Sequence, residues 1–190
     1  VLQQVERICV YVPPVSAPSR PGPDELERFP LSLIYQQLPG DVTVIGQARY
    51  VGADYSGRFG NYFAHSLVST SLAVDLDGIL PIQLWRAPLW RTTEVETTEL
   101  PAAAPPVAGS ATALAQIVRF LRQDNRLDHV AAFVTAIEQA LQTRRRVVIV
   151  DTSDAVASWI ATACFVLPRH LALQLTFNTY VKSPYQTDAL

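Results

Sequence analysis

Between two apolar segments, Asp54–Val68 reads DYSGRFGNYFAHSLV and gathers several residue types that chemistry would need. Gly57 and Gly60 let the backbone turn sharply or approach a ligand. If the chain is helical from Gly60 onward, Asn61 and His65 fall four apart on one face, with Arg58 flanking them near the helix start. A helix N-terminus with a guanidinium beside it could hold a phosphate or a carboxylate. His65, whose reference pKa lies near neutrality, could then act as a general acid or base. Arg58, Asn61, Tyr62 and His65 are therefore the candidate ligand-binding set, with His65 the candidate catalytic residue. If the stretch is a strand instead, Asn61, Phe63, His65 and Leu67 share a face and the pocket weakens. The plainer reading is that Asn61 and His65 satisfy buried backbone groups while Tyr62 and Phe63 pack. It is preferred, because spacing fixes no second catalytic partner.

Other candidates are weaker. Asp151 follows the run VVIV, at the place where open α/β sheets bind ligands or metals. The turn DTSD lacks glycine, so it is neither a phosphate-cradling loop nor a dinucleotide fingerprint, and helix capping is the better reading. Arg144–Arg146 could contact phosphates, but cations at a helix C-terminus also offset the helix dipole, and that role is preferred. His129 is expected on a helix surface and His170 in a loop, and the three histidines are too dispersed for a zinc spacing. Ser56 and Ser66 lack the flanking glycines of a nucleophile elbow. No cofactor and no metal site is expected.

The elements that would position these residues fall into two parts. Hydrophobic residues make up 49% of the 190 and charged residues 17%, which is ample for a packed core in one large domain or two small ones. The segment PAAAPPVAGS, Pro101–Ser110, reads as an uncharged linker between a β-rich N-terminal domain, 1–100, and an α/β middle domain, 111–190. Before it, Phe29–Leu38 and Val42–Val51 flank the turn Pro39–Asp41 as a hairpin. Both faces of the second strand carry residues suited to burial. Ile79–Leu84 is a further possible strand, and Trp85 and Trp90 are expected to anchor the domain edge. After the linker, helices are expected over about Ser110–Gln123, with a stripe of Leu114, Ile117, Val118 and Leu121, over Leu127–Gln142 and over Ala155–Leu167. Val147–Val150 and Leu171–Val181 read as strands, the first covered on both faces. The fold class expected is α+β or α/β, a mostly antiparallel β-rich part followed by a small α/β layer with a short parallel sheet.

Composition narrows the function. A net charge of −2 and a pI near 5.9 argue against a nucleic-acid role, since no broad basic footprint is present. Cys9 and Cys164 each sit in an apolar run and read as buried thiols in a reducing, cytoplasmic compartment. No apolar run is long enough to cross a bilayer, and Val1–Val12 does not read as a signal peptide. The chain holds no methionine, so a fragment of a longer protein is expected.

The stretch YVGADYSGRFGNYFAHSLV (Tyr50–Val68), the hairpin before it and LPIQLWRAPLW (Leu80–Trp90) together resemble the N-terminal domain, type 2, of bacterial GTPase-associated protein 1. Arg145–Pro184, from RRVVIV to NTYVKSP, resembles that family's middle domain. The resemblance implies a component of an NTP-dependent bacterial conflict or signalling system, with a GTPase-like or other system protein as partner. It carries over no catalytic residues. Two functions are expected on these grounds. The first is a non-enzymatic adaptor or regulatory module; the second is a ligand-binding or hydrolytic domain with its pocket around Arg58, Asn61, Tyr62 and His65.

Overall fold

The computed structural model describes residues 1–54, 56–93 and 105–186; residues 94–100, the first four of the expected linker, Tyr55 and 187–190 lie outside the described residues. The helices, in chain order, are α1 (Leu2–Ile8), α2 (Pro23–Leu26), α3 (Leu72–Asp75), α4 (Leu114–Leu121), α5 (Val130–Thr143), α6 (Ser153–Val166) and α7 (Arg169–Ala172). The strands are β1 (Ser32–Leu38), β2 (Val42–Ala53), β3 (Phe59–Ser69) and β4 (Phe177–Asn178).

β1 and β2 form the expected hairpin. Its turn needs left-handed backbone at two successive positions, Gly40 (φ 81°) and Asp41 (φ 58°), and those residue types tolerate it best. β3 continues the meander on the far side of β2. β4 arrives from the opposite end of the chain and pairs antiparallel with β1, placing Asn178 opposite Ile34 and Phe177 opposite Tyr35. The sheet order is therefore β3-β2-β1-β4.

Side-chain alternation sorts the sheet into two faces. Leu33, Tyr35, Ile45, Leu67 and Phe177 point to the main core, which they share with Ile82, Trp85 and the helices of the second half. Ala48, Tyr50, Tyr62 and Ala64 point the other way, where Tyr11, Leu26, Phe29 and Tyr180 cover them. Both faces of the middle of β2 are buried, as its sequence led one to expect. The second face is held by aromatic contacts: Phe29 stacks on Tyr50 at 4.6 Å, and Tyr180 donates its hydroxyl hydrogen to Val12 O at 2.9 Å.

α6 is apolar nearly all round, and Ala155, Val156, Ala157, Ile160, Ala161, Ala163 and Cys164 are all buried. Such a helix has to be covered on every side. The sheet covers one side and α4 and α5 the others, with the Trp159 ring 5.4 Å from Phe120 and 5.1 Å from Phe133. Its N-cap is Thr152, whose hydroxyl accepts from Ala155 N–H at 3.3 Å. The DTSD turn thus caps, as read from sequence.

Several expected elements differ. Ile79–Leu84 is not a strand: Pro81 opens a 3₁₀ turn over Pro81–Leu84, and Gln83 reaches back to accept the Leu80 N–H at 2.9 Å. Proline cannot donate to a ladder but fits the first position of a helical turn. The short parallel sheet is not seen among the described residues. Of Leu171–Val181 only Phe177–Asn178 is strand, and antiparallel, because α7 takes the start of that range directly after Pro168. Val147–Val150 forms no strand and makes no backbone hydrogen bond with a described residue. It is not covered on both faces either, since Val150 is 94% exposed. Ser110 starts a 3₁₀ turn and Ala113, not Ser110, precedes α4. In that helix Ile117 is buried while Leu114 and Val118 face solvent. His170 lies in α7 rather than in a loop.

The described end of the linker segment is tightly docked. Gly109 donates its N–H to Gln83 O at 2.7 Å, and a β-carbon there would sit 2.2 Å from Trp85 O. Backbone cannot yield as a flexible side chain can, so Gly109→Ala is expected to lower stability by about 1–3 kcal/mol or more. Chemical denaturation with two probes, tryptophan fluorescence and far-ultraviolet circular dichroism, checks this. A core drawn from both sides of Pro101–Ser110 predicts that both probes report one transition, in the wild type and the variant alike.

Candidate functional site

The loop at Asp54–Arg58 satisfies itself. Asp54 Oδ1 accepts from Ser56 N–H at 2.8 Å, the Ser56 hydroxyl at 2.7 Å and Arg58 N–H at 3.0 Å, while Oδ2 accepts from Arg58 Nε at 3.2 Å. The Ser56 hydroxyl, followed by the two N–H bonds and Arg58, holds the Asp54 carboxyl below the usual carboxylate range. Gly57, at φ 79°, closes the turn. Arg58 is thereby occupied at the tip of the β2–β3 hairpin, out in solvent.

His65 lies on a strand, not a helix. From the tip, β3 carries the chain roughly 20 Å before it reaches His65, at about 3.3 Å per residue. The ring stands edge-on to Trp90, with centroids 5.5 Å apart, and Nδ1 accepts the Arg91 N–H at 3.1 Å. An accepting Nδ1 leaves the proton of the neutral ring on Nε2. Burial, then the nearby Arg91 charge, lowers the His65 pKa. Tyr62 points to the opposite face, opposite Tyr50, and burial raises its phenol pKa. Asn61 pairs with Gly52 beside an irregularity in the ladder. The structure therefore does not bring Arg58, Asn61, Tyr62 and His65 together.

A different cluster joins the two halves. Asp154, in the first turn of α6, accepts from Trp85 Nε1 at 3.0 Å and from Arg86 Nε and Nη2 at 2.8 and 2.9 Å. Arg86 holds the Asp154 carboxyl below its ordinary value, and the same bond raises the Arg86 pKa. The two charged side chains are about half exposed, so the pair fixes geometry more than it adds stability. Trp85 itself is 1% exposed and Trp90 donates to Leu84 O at 2.7 Å, so both tryptophans sit in the main core rather than at the domain edge expected from sequence.

Three of the clefts among the described residues are well formed. The first, about 330 Å³, lies between 146–151 and 175–182 and includes Arg146, Asp151 and Lys182 in its walls. The second, about 360 Å³, lies against the other side of Val147–Val150, facing His129, Phe133 and Trp159. The third, about 220 Å³, is lined by Gln47, Arg49, Arg86 and Trp90 among others. Gln47 is 8% exposed and its Oε1 has no described partner. None of these clefts includes Arg58, Asn61, Tyr62 or His65. Sequence reading missed both the Arg49–Arg86 cleft, which depends on strand register, and the slot beside Val147–Val150. For the slot a signal did exist: four apolar β-formers between three arginines and DTSD.

Cys9 and Cys164 are both buried free thiols, and burial pushes Cys164 up to about 12. Among the described residues no group of three or more His, Cys, Asp or Glu could hold a metal ion, and no helix is long and apolar enough to cross a membrane.

Comparison with known proteins follows the same division. The sequence pattern of a family described as GTPase-associated protein 1, N-terminal domain type 2, matches residues 1–106, and that of the GTPase-associated protein 1 middle domain matches 117–190. The "Putative ESX-1 scaffolding and assembly protein SaeB" of Mycolicibacterium smegmatis strain MKD8 is 30% identical over 169 residues, covering 86% of this chain and 20% of the relative. Its namesake in strain ATCC 700084 / mc(2)155 is 31% identical over 169 residues, with the same shares covered. The chain thus spans about a fifth of the length of the curated relatives it matches. No solved structure matches it.

Two of the perturbed groups, His65 and Asp154, predict distinct pH windows. A histidine whose folded pKa is depressed contributes stability above its unfolded value, about 6.5, and loses it as pH falls through the folded value. Thermal melts are expected to decline from about pH 6.5 downward, and His65→Gln to flatten that decline. Asp154 follows the same sign lower down. Its contribution is present above the ordinary carboxylate value near 3.9 and lost as pH falls through the lowered one. Exposure limits that second effect to about 1 kcal/mol or less. An NMR titration of His65 with a midpoint at or above 6.5 would contradict the first assignment.

Proposed function

The chain belongs to the GTPase-associated protein 1 family, and from that premise we propose that it is a non-enzymatic adaptor or regulatory module acting through protein–protein contacts. Its setting is a GTPase-associated bacterial conflict or signalling system, in the cytoplasm, with a GTPase-like or other protein of the same system as partner. The observation that carries this reading is the likeness, across 86% of the chain, to a protein named for scaffolding and assembly.

The geometry supports the same direction. A pocket for ligand binding or hydrolysis around Arg58, Asn61, Tyr62 and His65 would need those side chains on one wall. Arg58 is committed to Asp54 at a hairpin tip, Tyr62 to one face of the sheet and His65 to the other. A nucleophile, a base and an orienting group within hydrogen-bond reach of one another are the minimum for that chemistry. Those four residues do not supply it.

The test is retention of a GTPase-like protein encoded beside this one on the tagged 190-residue chain and, separately, on the longer natural protein. Retention on both is expected. His65→Ala and Arg58→Ala should leave any nucleotide turnover by that partner unchanged, since neither side chain is assigned to catalysis. Failure of both forms to retain it would overturn the adaptor reading.

A further inference from the structure

The cleft lined by Gln47, Arg49 and Arg86 contains a polar group that the fold leaves unsatisfied. Gln47 and Arg49 stand two apart on β2, so their side chains leave the same face of the sheet, roughly 7 Å apart along the strand. Gln47 is 8% exposed and pairs across the sheet with Leu33 on one side and His65 on the other. Its Oε1 is buried without a partner among the described residues. A buried acceptor with no donor keeps its full desolvation penalty. An apolar side chain of similar size would fill the position without that penalty. Turning the last torsion of the side chain, which is soft in a carboxamide, presents the oxygen to the cleft.

The walls around Gln47 offer both signs of charge. Arg49, Arg86 and Glu27 all line the cleft. Asp154 already engages Arg86 through Nε and Nη2, whereas no ion pair among the described residues includes Arg49. Phe29 and Trp90 add apolar surface, since the one N–H of the Trp90 ring is committed to Leu84 O. The cleft holds about 220 Å³, below the roughly 300–1,000 Å³ of sites for drug-sized ligands, so its occupant is small. A phosphate dianion suits it poorly, because it brings no hydrogen to Gln47 Oε1 and Glu27 repels it. A ligand that answers every group carries an anion for Arg49, a hydrogen-bearing nitrogen for Gln47 and Glu27, and a compact apolar body.

We propose that this cleft binds a free α-amino acid with an aliphatic side chain. Its carboxylate pairs with Arg49, its ammonium donates to Gln47 Oε1 and to Glu27, and its side chain lies against Phe29 and Trp90. The bound molecule sits beside the Arg86–Asp154 fork, where the two halves of the chain meet. The site goes beyond the adaptor reading and does not depend on it.

The probe is L-leucine, titrated into the 190-residue chain by isothermal calorimetry. Saturable binding is expected. Two half-molecules separate the charges: 4-methylpentanoate keeps the carboxylate without the amine, and 3-methylbutylamine keeps the amine without the carboxylate. Each is expected to bind about tenfold weaker or worse. Arg49→Gln, at a position that is only partly buried, should weaken L-leucine by a similar factor. Gln47→Leu removes the unpartnered oxygen and is expected to melt above wild type while losing L-leucine binding. A residue that served packing alone would not couple gained stability to lost binding. No saturable binding of L-leucine overturns the proposal. So does a half-molecule that binds as tightly as L-leucine, inorganic phosphate that binds more tightly, or either variant that binds L-leucine as wild type does. None of these readouts involves the retention of a protein partner, so their failure leaves the adaptor reading standing.

Discussion

The fold depends on one helix that has almost no polar side to offer water. From Ala155 to Cys164, α6 presents alanine, valine, isoleucine and cysteine on most of its circumference. Left uncovered, such a surface would forfeit about 25 cal/mol for every Å² of apolar area that burial removes from water. Among the described residues of the second half, α4, α5 and α7 are the helices that can cover it, and they are short or amphipathic. The sheet of the first half supplies the remaining side through Leu33, Tyr35, Ile45 and Phe177. The two sequence regions on either side of Pro101–Ser110 are thus bound to each other by what neither can bury alone. β4 is the clearest sign of it, a strand from the second half in the sheet of the first.

Polar contacts then fix the geometry that burial leaves loose. Hydrophobic contact is non-directional, so it does not choose the rotation of α6 against the 3₁₀ turn. The fork of Arg86 on Asp154, with Trp85 Nε1 as a third donor, makes that choice. Arg86 adopts a φ of 53° to reach it, a conformation that disfavours side chains with a β-carbon. Gly109 serves the same junction from the other side, since its hydrogen atom lies where a methyl group would meet the Trp85 carbonyl.

The sequence is informative where structure is local. The β1–β2 hairpin is legible because PGD supplies its own turn, and α5 and α6 are legible because their apolar spacing is long. Ile79–Leu84 misleads because its composition is strand-like while a single proline decides the backbone. Val147–Val150 misleads too: its β-branched run reads as a strand, but pattern alone supplies no partner, and among the described residues none pairs with it. The candidate site fails for a similar reason. Arg58, Asn61, Tyr62 and His65 are close in sequence, and only a helix would have made them close in space; as a strand they alternate. The Asp154 cluster joins residues 68 apart, a relation that no local spacing encodes.

An adaptor benefits from a surface that is already ordered. Ordering a backbone residue costs about 1–2 kcal/mol of conformational entropy, and a partner docking on a floppy segment would meet that cost on both sides. The connection from α5 to α6 avoids half of it, because Val147 and Ile149 are held by the core and the two helices fix its ends. The constraint that covers α6 therefore also orders the segment that leads into it.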